Sequence, residues 1–395
     1  MMNESVSHGR SLELIAVRKR YGKQLVLNNI NLSVEAGSFT SLVGPSGSGK
    51  TTTLSVVAGL VRPDSGAVEV GGVDVTSRPP HRRNLGFVFQ DYALFPHMTV
   101  EKNIGYPLKL RGVPRSEIKR KVADAIALVR LDGLGKRHPA QLSGGQRQRV
   151  AFARAIVFDP ELLLMDEPLG ALDASLRAHL QREIVRIGRE IGITILYVTH
   201  DQDEALSMSD NIVVFNNGAV EQVGTPQQIY NSPQTAFVAN FFGTGALVQG
   251  HLGAGADPYV TTGTGNAIRV SSGSVANIGA GTGDRVAILL RPEFLGIREI
   301  DGPDPLRLNP IGNGRITDVV YHGGSARVRV QVDGYPELTS RMDPGVTERF
   351  RVGDTVIVGL FGATRPPVVP LQARTTGFSD ATDGSKSREP IDASV

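Results

Sequence analysis

An α/β domain built round a phosphate-binding loop, followed by a smaller all-β domain, is the fold class that the sequence predicts. Three observations predict it. Short apolar runs alternate with amphipathic helical patterns from about residue 11 to 243, and a glycine-rich loop, "GPSGSGKTT" at 44–52, follows one of those runs. From about 244 the helical period gives way to two-residue alternation between turns. A length of 395 residues exceeds what one core usually serves, which agrees with two domains.

The strands of the first domain are expected at "SFTSLV", "NLGFVFQ", "ELLLMD" and "ITILYVTH", whose continuous apolar character suits a buried parallel sheet. "TTLSVVAGL" follows the loop as a helix. In "SEIKRKVADAIALVRL", Ile118, Val122, Ala125, Ile126 and Val129 recur at helical spacing, with Ser116 as the expected cap. Further on, "DRVAILL", "ARVRVQVDG" and "DTVIVGLF" read as strands. Val328, Val330 and Val332 alternate with polar neighbours ahead of an Asp-Gly turn, which suits a small barrel of the oligonucleotide/oligosaccharide-binding (OB) type. The expected divisions are 11–243, 244–372 and a polar, aperiodic tail over 373–395 that reads as disordered.

Composition narrows the function. The chain has no cysteine, which excludes disulfides, thiolate metal sites and cysteine nucleophiles. No apolar stretch is long enough to cross a bilayer and the start lacks a secretory pattern, so a soluble cytoplasmic protein is expected. The net charge of +3 is spread among acids rather than gathered in a stripe, which argues against nucleic acid as a partner.

Gly44, four residues, Gly49, Lys50 and Thr51 satisfy the spacing G-x-x-x-x-G-K-[ST], between a strand and a helix as that loop requires. Within Gly44, Pro45, Ser46, Gly47, Ser48, Gly49, Lys50, Thr51 and Thr52, the glycines let backbone N–H groups converge on an anion at the positive end of a helix. Lys50 would reach the β- and γ-phosphates, and the Thr51 hydroxyl suits Mg²⁺, a hard ion that prefers oxygen. "LLLMDE" supplies the acids: Asp166 to hold the ion and Glu167 to act as general base on the attacking water. In "LSGGQRQRVAFARAI", Ser143, Gly144, Gly145 and Gln146 open a second helix start suited to phosphate. One ATP does not need two such starts from one subunit. A dimer in which each subunit's Ser-Gly-Gly closes over the partner's ATP is the economical explanation.

With these motifs in this order, residues 11 to 242 resemble the ATP-binding cassette (ABC) ATPases: an α/β P-loop NTPase domain with a helical subdomain. The resemblance implies that Tyr21 stacks on adenine and that Gln90 touches Mg²⁺ and the attacking water. It implies that His200 of "YVTHD" contacts the γ-phosphate and positions water and Glu167, and that Asp173 of "ALD" bridges subunits. Gly170 stands where many members carry serine, so hydroxyl contacts sometimes assigned there are absent. Arg147 and Arg149 read as serving packing and phosphate electrostatics. Tyr92 and Phe95, in "QDYALFPHMTV", are expected to be exposed and to meet a partner.

That last stretch is similar to importer ATPases serving spermidine/putrescine, iron(III) and sugar uptake, and "LLRPEFLGI" with "GRITDVVYHGGSARVRVQV" resembles their transport-associated OB-type domain. The resemblance implies a homodimer on the cytoplasmic face of the inner membrane, beneath two permease subunits and working with an extracytoplasmic solute-binding protein. Polyamine is the leading cargo, with iron(III), sugar, opine and other small solutes open. The alternative of another class is a non-transport, ATP-gated regulatory or nucleic-acid-associated ATPase.

Overall fold

The computed structural model describes residues 9–170, 173–255, 257–304 and 306–371. Ala171, Leu172 and the tail expected over 373–395 lie outside the described residues.

The chain opens with a hairpin, β1 (Leu12–Tyr21) and β2 (Gln24–Val34). The wholly buried β3 (Phe39–Val43) runs into the glycine loop, and α1 (Lys50–Ala58) leaves it, stopping at Gly59 in the left-handed conformation that commonly ends helices. β4 (Ser65–Val70) and β5 (Val73–Asp74) return to the hairpin and complete an antiparallel sheet ordered β2-β1-β4-β5.

β6 (Leu85–Val88) precedes a helical region of α2 (Val100–Leu110), α3 (Arg115–Leu128) and α4 (Gly144–Ile156). There follow β7 (Leu162–Asp166), α5 (Ala174–Ile191), β8 (Thr194–Val198), α6 (Gln202–Met208), β9 (Asn211–Asn216) and β10 (Ala219–Gly224). These form the main sheet, β10-β9-β3-β8-β7-β6, parallel throughout except for the edge strand β10. Its central strands β3, β7 and β8 are buried on both faces, which is why they read as continuous apolar runs. Leu162, Leu164, Leu196 and Val198 join the core under the antiparallel sheet, while Leu163, Met165, Ile195 and Tyr197 join the core under the helices.

One expectation for the helices is corrected. Ser116 does not cap α3: the helix begins at Arg115 with Pro114 in the cap position, whose carbonyl accepts from Ile118 N. Proline's fixed φ, here −58°, sets the chain entry without a side-chain cap. The expected apolar stripe is present, with Val122, Ala125, Ile126 and Val129 buried.

After α7 (Pro226–Asn231) and α8 (Ala236–Phe241) the chain becomes almost entirely β. β11 (Ala246–Leu252), β12 (Tyr259–Thr262), β13 (Ala267–Arg269), α9 (Ser272–Ile278), β14 (Arg285–Leu290) and β15 (Leu295–Glu299) come first. β16 (Leu308–Tyr321), β17 (Ala326–Val332), β18 (Leu338–Met342), α10 (Pro344–Thr347), β19 (Thr355–Phe361) and β20 (Val368–Pro370) complete the chain. Two antiparallel five-stranded sheets, β13-β12-β11-β14-β20 and β15-β19-β16-β17-β18, enclose one core. This is the OB-like all-β domain, and β17 alternates buried and exposed residues along its whole length.

The two parts meet through side chains as well as through the chain. Ala239 of α8 packs with Ala287, Leu289 and Val369. The fully buried Arg291 donates to the carbonyls of Phe242 and, at 2.8 Å, Tyr230, with its guanidinium 3.7 Å from the Tyr230 ring centroid.

Candidate active site

The C-terminal ends of β3, β8, β7 and β6 lie side by side, and the segments leaving them carry the loop 44–52, His200, Asp166 with Glu167, and Gln90 respectively. A parallel sheet places such ends on one edge, where ligands of open α/β sheets are received.

The loop has the geometry of an anion cradle. Gly44, Gly47 and Gly49 hold φ of 154°, 77° and 107°. A Cβ at Gly44 would collide with the carbonyl of Phe215, and one at Gly49 would meet Leu27 Cδ2 at 2.8 Å. Gly47 has nothing within 4 Å of its Cβ position, so its glycine is required by backbone conformation alone. Pro45, Ser46, Gly47 and Thr51 are exposed, while Ser48 and Lys50 are buried and Thr52 is half-buried. Lys50 Nζ donates to the carbonyls of Gly44 and Pro45, each at 2.8 Å. Burial lowers the Lys50 pKa, an effect opposed by the nearby carboxylates of Glu167 and Asp166. The ammonium is thus held by carbonyls of a loop whose residues Pro45, Ser46 and Gly47 face solvent.

The acids converge next to it. Thr51 Oγ1 donates to Asp166 Oδ1 at 3.1 Å, and burial raises the Asp166 pKa against the lowering effect of that hydrogen bond. Glu167 holds φ of 42°, with its N–H donating to Val198 O at 3.0 Å across the sheet. Its Oε2 lies 3.2 Å from His200 Nδ1 and accepts from Gln90 Nε2 at 3.4 Å. Thus Gln90, Glu167 and His200, from three different strand ends, meet at one carboxylate oxygen.

The second helix start stands apart. Ser143 caps α4 and forms a reciprocal box with Gln146: Ser143 Oγ accepts from Gln146 N at 3.3 Å, and Gln146 Oε1 accepts from Ser143 N at 3.0 Å. Gly144 begins the helix and Gly145 faces Leu176, whose Cδ2 would lie 2.9 Å from an added Cβ. Among the described residues no hydrogen bond or ion pair joins 143–146 to the loop 44–52 of the same chain. Asp173 caps α5 by accepting from Leu176 N at 2.9 Å and is exposed. Tyr21 is 49% exposed at the tip of the first hairpin, with Lys19 Nζ 5.5 Å from its ring centroid. Gly170 donates its N–H to Glu167 O at 3.3 Å and has room for a side chain.

Sequence reading misplaced one aromatic and missed several polar anchors. Tyr92, expected to be exposed, is buried at 7%, and Phe95 is half-buried against Tyr106, their centroids 4.7 Å apart. Both lie beneath Arg154 of α4, which donates to the carbonyls of Tyr92 and Ala93 at 2.8 and 2.7 Å and approaches the Phe95 ring. Asn103, wholly buried, gives its amide to the carbonyls of Phe95, Met98 and Thr99. Arg149 pairs with Glu183 at 3.4 Å. These partners are far apart in sequence or carried by ordinary helical positions, so no local pattern marks them.

The family described as ABC transporter matches residues 27–170, and the TOBE domain family matches 288–361. The spermidine/putrescine import ATP-binding protein PotA of Nitrosomonas europaea is 41% identical over 354 residues, covering 88% of this chain and 96% of that protein. The protein of the same name from Thermobifida fusca is 45% identical over 328 residues, covering 81% and 83%. Among solved structures, the ATP-binding cassette MJ0796, dimeric in a post-hydrolysis state with ADP and Pi, aligns at a TM-score of 0.50 with 31% identity, covering 54% of this chain and 98% of that one. cbiO1 from Clostridium perfringens, part of the ABC transporter complex cbiONQ, aligns at 0.52 with 29% identity, covering 55% and 89%. At these identities and coverages, the chain belongs to the ATP-binding subunits of ABC transporters.

Proposed function

We propose that this chain is the ATPase subunit of a polyamine-type importer, binding and hydrolysing ATP at a site completed by a second copy of itself. The observation that carries the reading is the convergence of Gln90, Glu167 and His200 beside the Thr51–Asp166 pair, at the mouth of the glycine cradle. The ATPase unit spans 11–243 and the regulatory or dimer-stabilising unit 244–372.

Lys50 and the N–H groups of 44–52 bind the phosphates, and Tyr21 stacks on adenine. Thr51 Oγ1, an Asp166 carboxylate oxygen and the Gln90 amide oxygen are the hard donors that suit Mg²⁺. When bound, Mg²⁺ offsets charge on the phosphates. Glu167 takes a proton from the attacking water, while His200 and Gln90 hold that water and the carboxylate in line. Ser143, Gly144, Gly145 and Gln146 close on the partner's γ-phosphate, and Asp173 bridges the two subunits.

Partners follow from what surrounds the site. No helix among the described residues is long and apolar enough to cross a membrane. The import relatives' names support a cassette that works peripherally at the cytoplasmic face, beneath two separate permease chains. Phe89, the residue before Gln90, helps to line a groove of about 380 Å³ with Phe87, Phe95, Leu110, Phe158 and the guanidinium groups of Arg111 and Arg154, and Leu110 is 70% exposed. We assign this groove to the permease. An extracytoplasmic binding protein supplies the solute, for which the names of the relatives favour spermidine and putrescine.

Glu167→Gln tests the reading. Removing a general base lowers turnover by about 10² to 10⁴-fold, with ATP still bound at near wild-type affinity. Turnover close to wild type in that protein would reject Glu167 as the base.

A further inference from the structure

His200 is 62% exposed and has one contact of note, to Glu167, yet its neighbours in sequence are firmly held. Thr199 donates its N–H to Leu42 O at the end of β3, and its Oγ1 donates to Glu204 Oε2 at 2.7 Å and accepts from Asp201 N at 2.9 Å. Glu204, 4% exposed, also accepts from the buried Tyr197 hydroxyl at 2.8 Å. Asp201 Oδ1 accepts from the N–H groups of Asp203 and Glu204 at the start of α6. The remaining oxygens of both acids face one guanidinium: Arg177 Nη1 lies 3.4 Å from Asp201 Oδ2, and Arg177 Nε lies 4.0 Å from Glu204 Oε1. Arg177 belongs to the first turn of α5, where its own N–H donates to Asp173 O.

We propose that Arg177 and Glu204 are positioning residues that tie the exposed start of α5 at Asp173 to the segment carrying His200, so that a displacement of either moves the other. This rests on the reading of His200 as a catalytic group. The two hydroxyl donors fix the Glu204 carboxylate, and Arg177 bridges it to Asp201 through ion-pair contacts of 4.0 and 3.4 Å, so the link runs through charge at the α5 end and through short hydrogen bonds at the His200 end. If Asp173 meets a second subunit, the same link reports that contact to the imidazole.

The test is steady-state MgATP hydrolysis by the full-length protein, comparing Arg177→Met, Glu204→Gln and His200→Ala with the double variant Arg177→Met/His200→Ala. Arg177→Met lowers kcat on the order of ten- to a hundredfold, with KM for ATP and ATP affinity within about twofold of wild type and partial recovery in Arg177→Lys. In the His200→Ala background the same change adds less than about twofold, because groups acting through one another are not additive. Multiplicative losses in the double variant, or full kcat in Arg177→Met alongside an inactive His200→Ala, would overturn the link. Full activity of His200→Ala would instead remove the reading on which it stands.

Discussion

Glu167 shows how one residue can be both strained and central. A φ of 42° is uncommon for a side-chain-bearing residue and persists where surrounding structure fixes it, here the hydrogen bond to Val198 O and the contacts to His200 and Gln90. Asp166 beside it allows a prediction about pH. Burial raises its folded pKa, so the native state holds more protons than the unfolded chain just above the ordinary value of 3.8, and stability declines as pH rises through that window. Asn in its place still accepts from Thr51 but carries no charge to bury. Nucleotide-free Asp166→Asn therefore melts at a higher temperature than wild type at pH 7, and its advantage shrinks as pH falls towards 3.8, as thermal unfolding across pH reads directly. Equal melting temperatures at pH 7 would contradict it. At this scale the glycine loop was legible because local backbone conformation dictates each glycine. Burial of Tyr92 was not, because it depends on Arg154, 62 residues away.

At the scale of elements, helix starts carry the argument. Asp173 caps α5, so Asp173→Ala destabilises the chain by about 1 kcal/mol whereas Asp173→Ser retains most of the cap; chemical denaturation measures both. Should Asp173→Ser keep stability but lose turnover, the acid has a role at the subunit boundary beyond capping. Full turnover would leave it a cap only. The strands β3, β7 and β8 were readable because burial on both faces makes them apolar throughout, and β17 because one buried face makes it alternate. The start of α3 was misread at Ser116 because a proline with suitable φ does the work of a cap without a polar side chain.

Across the whole molecule, the sequence showed two compositional regimes but not how they join. Arg291 is the clearest example: it looks like one basic residue in "LLRPEF", yet it is fully buried and bonds the carbonyls of Phe242 and Tyr230 from the far side of the junction. Arg291→Met leaves those carbonyls without a donor, at a cost of about 1–3 kcal/mol each. Calorimetry is expected to show a lower, broader transition in which the β-domain separates from the ATPase unit; a single transition at the wild-type temperature would contradict this. At the same scale, the proposed function has ATP clamped between the loop of one subunit and the capped helix of another. The chain has no cysteine, so any introduced pair is unambiguous. In a Glu167→Gln background, Ser46→Cys combined with Ser143→Cys is oxidised with and without ATP and resolved on a denaturing gel. ATP-dependent disulfide-linked dimer is the result predicted, and an intrachain bridge, or no linked dimer with ATP demonstrably bound, is the result that would contradict it.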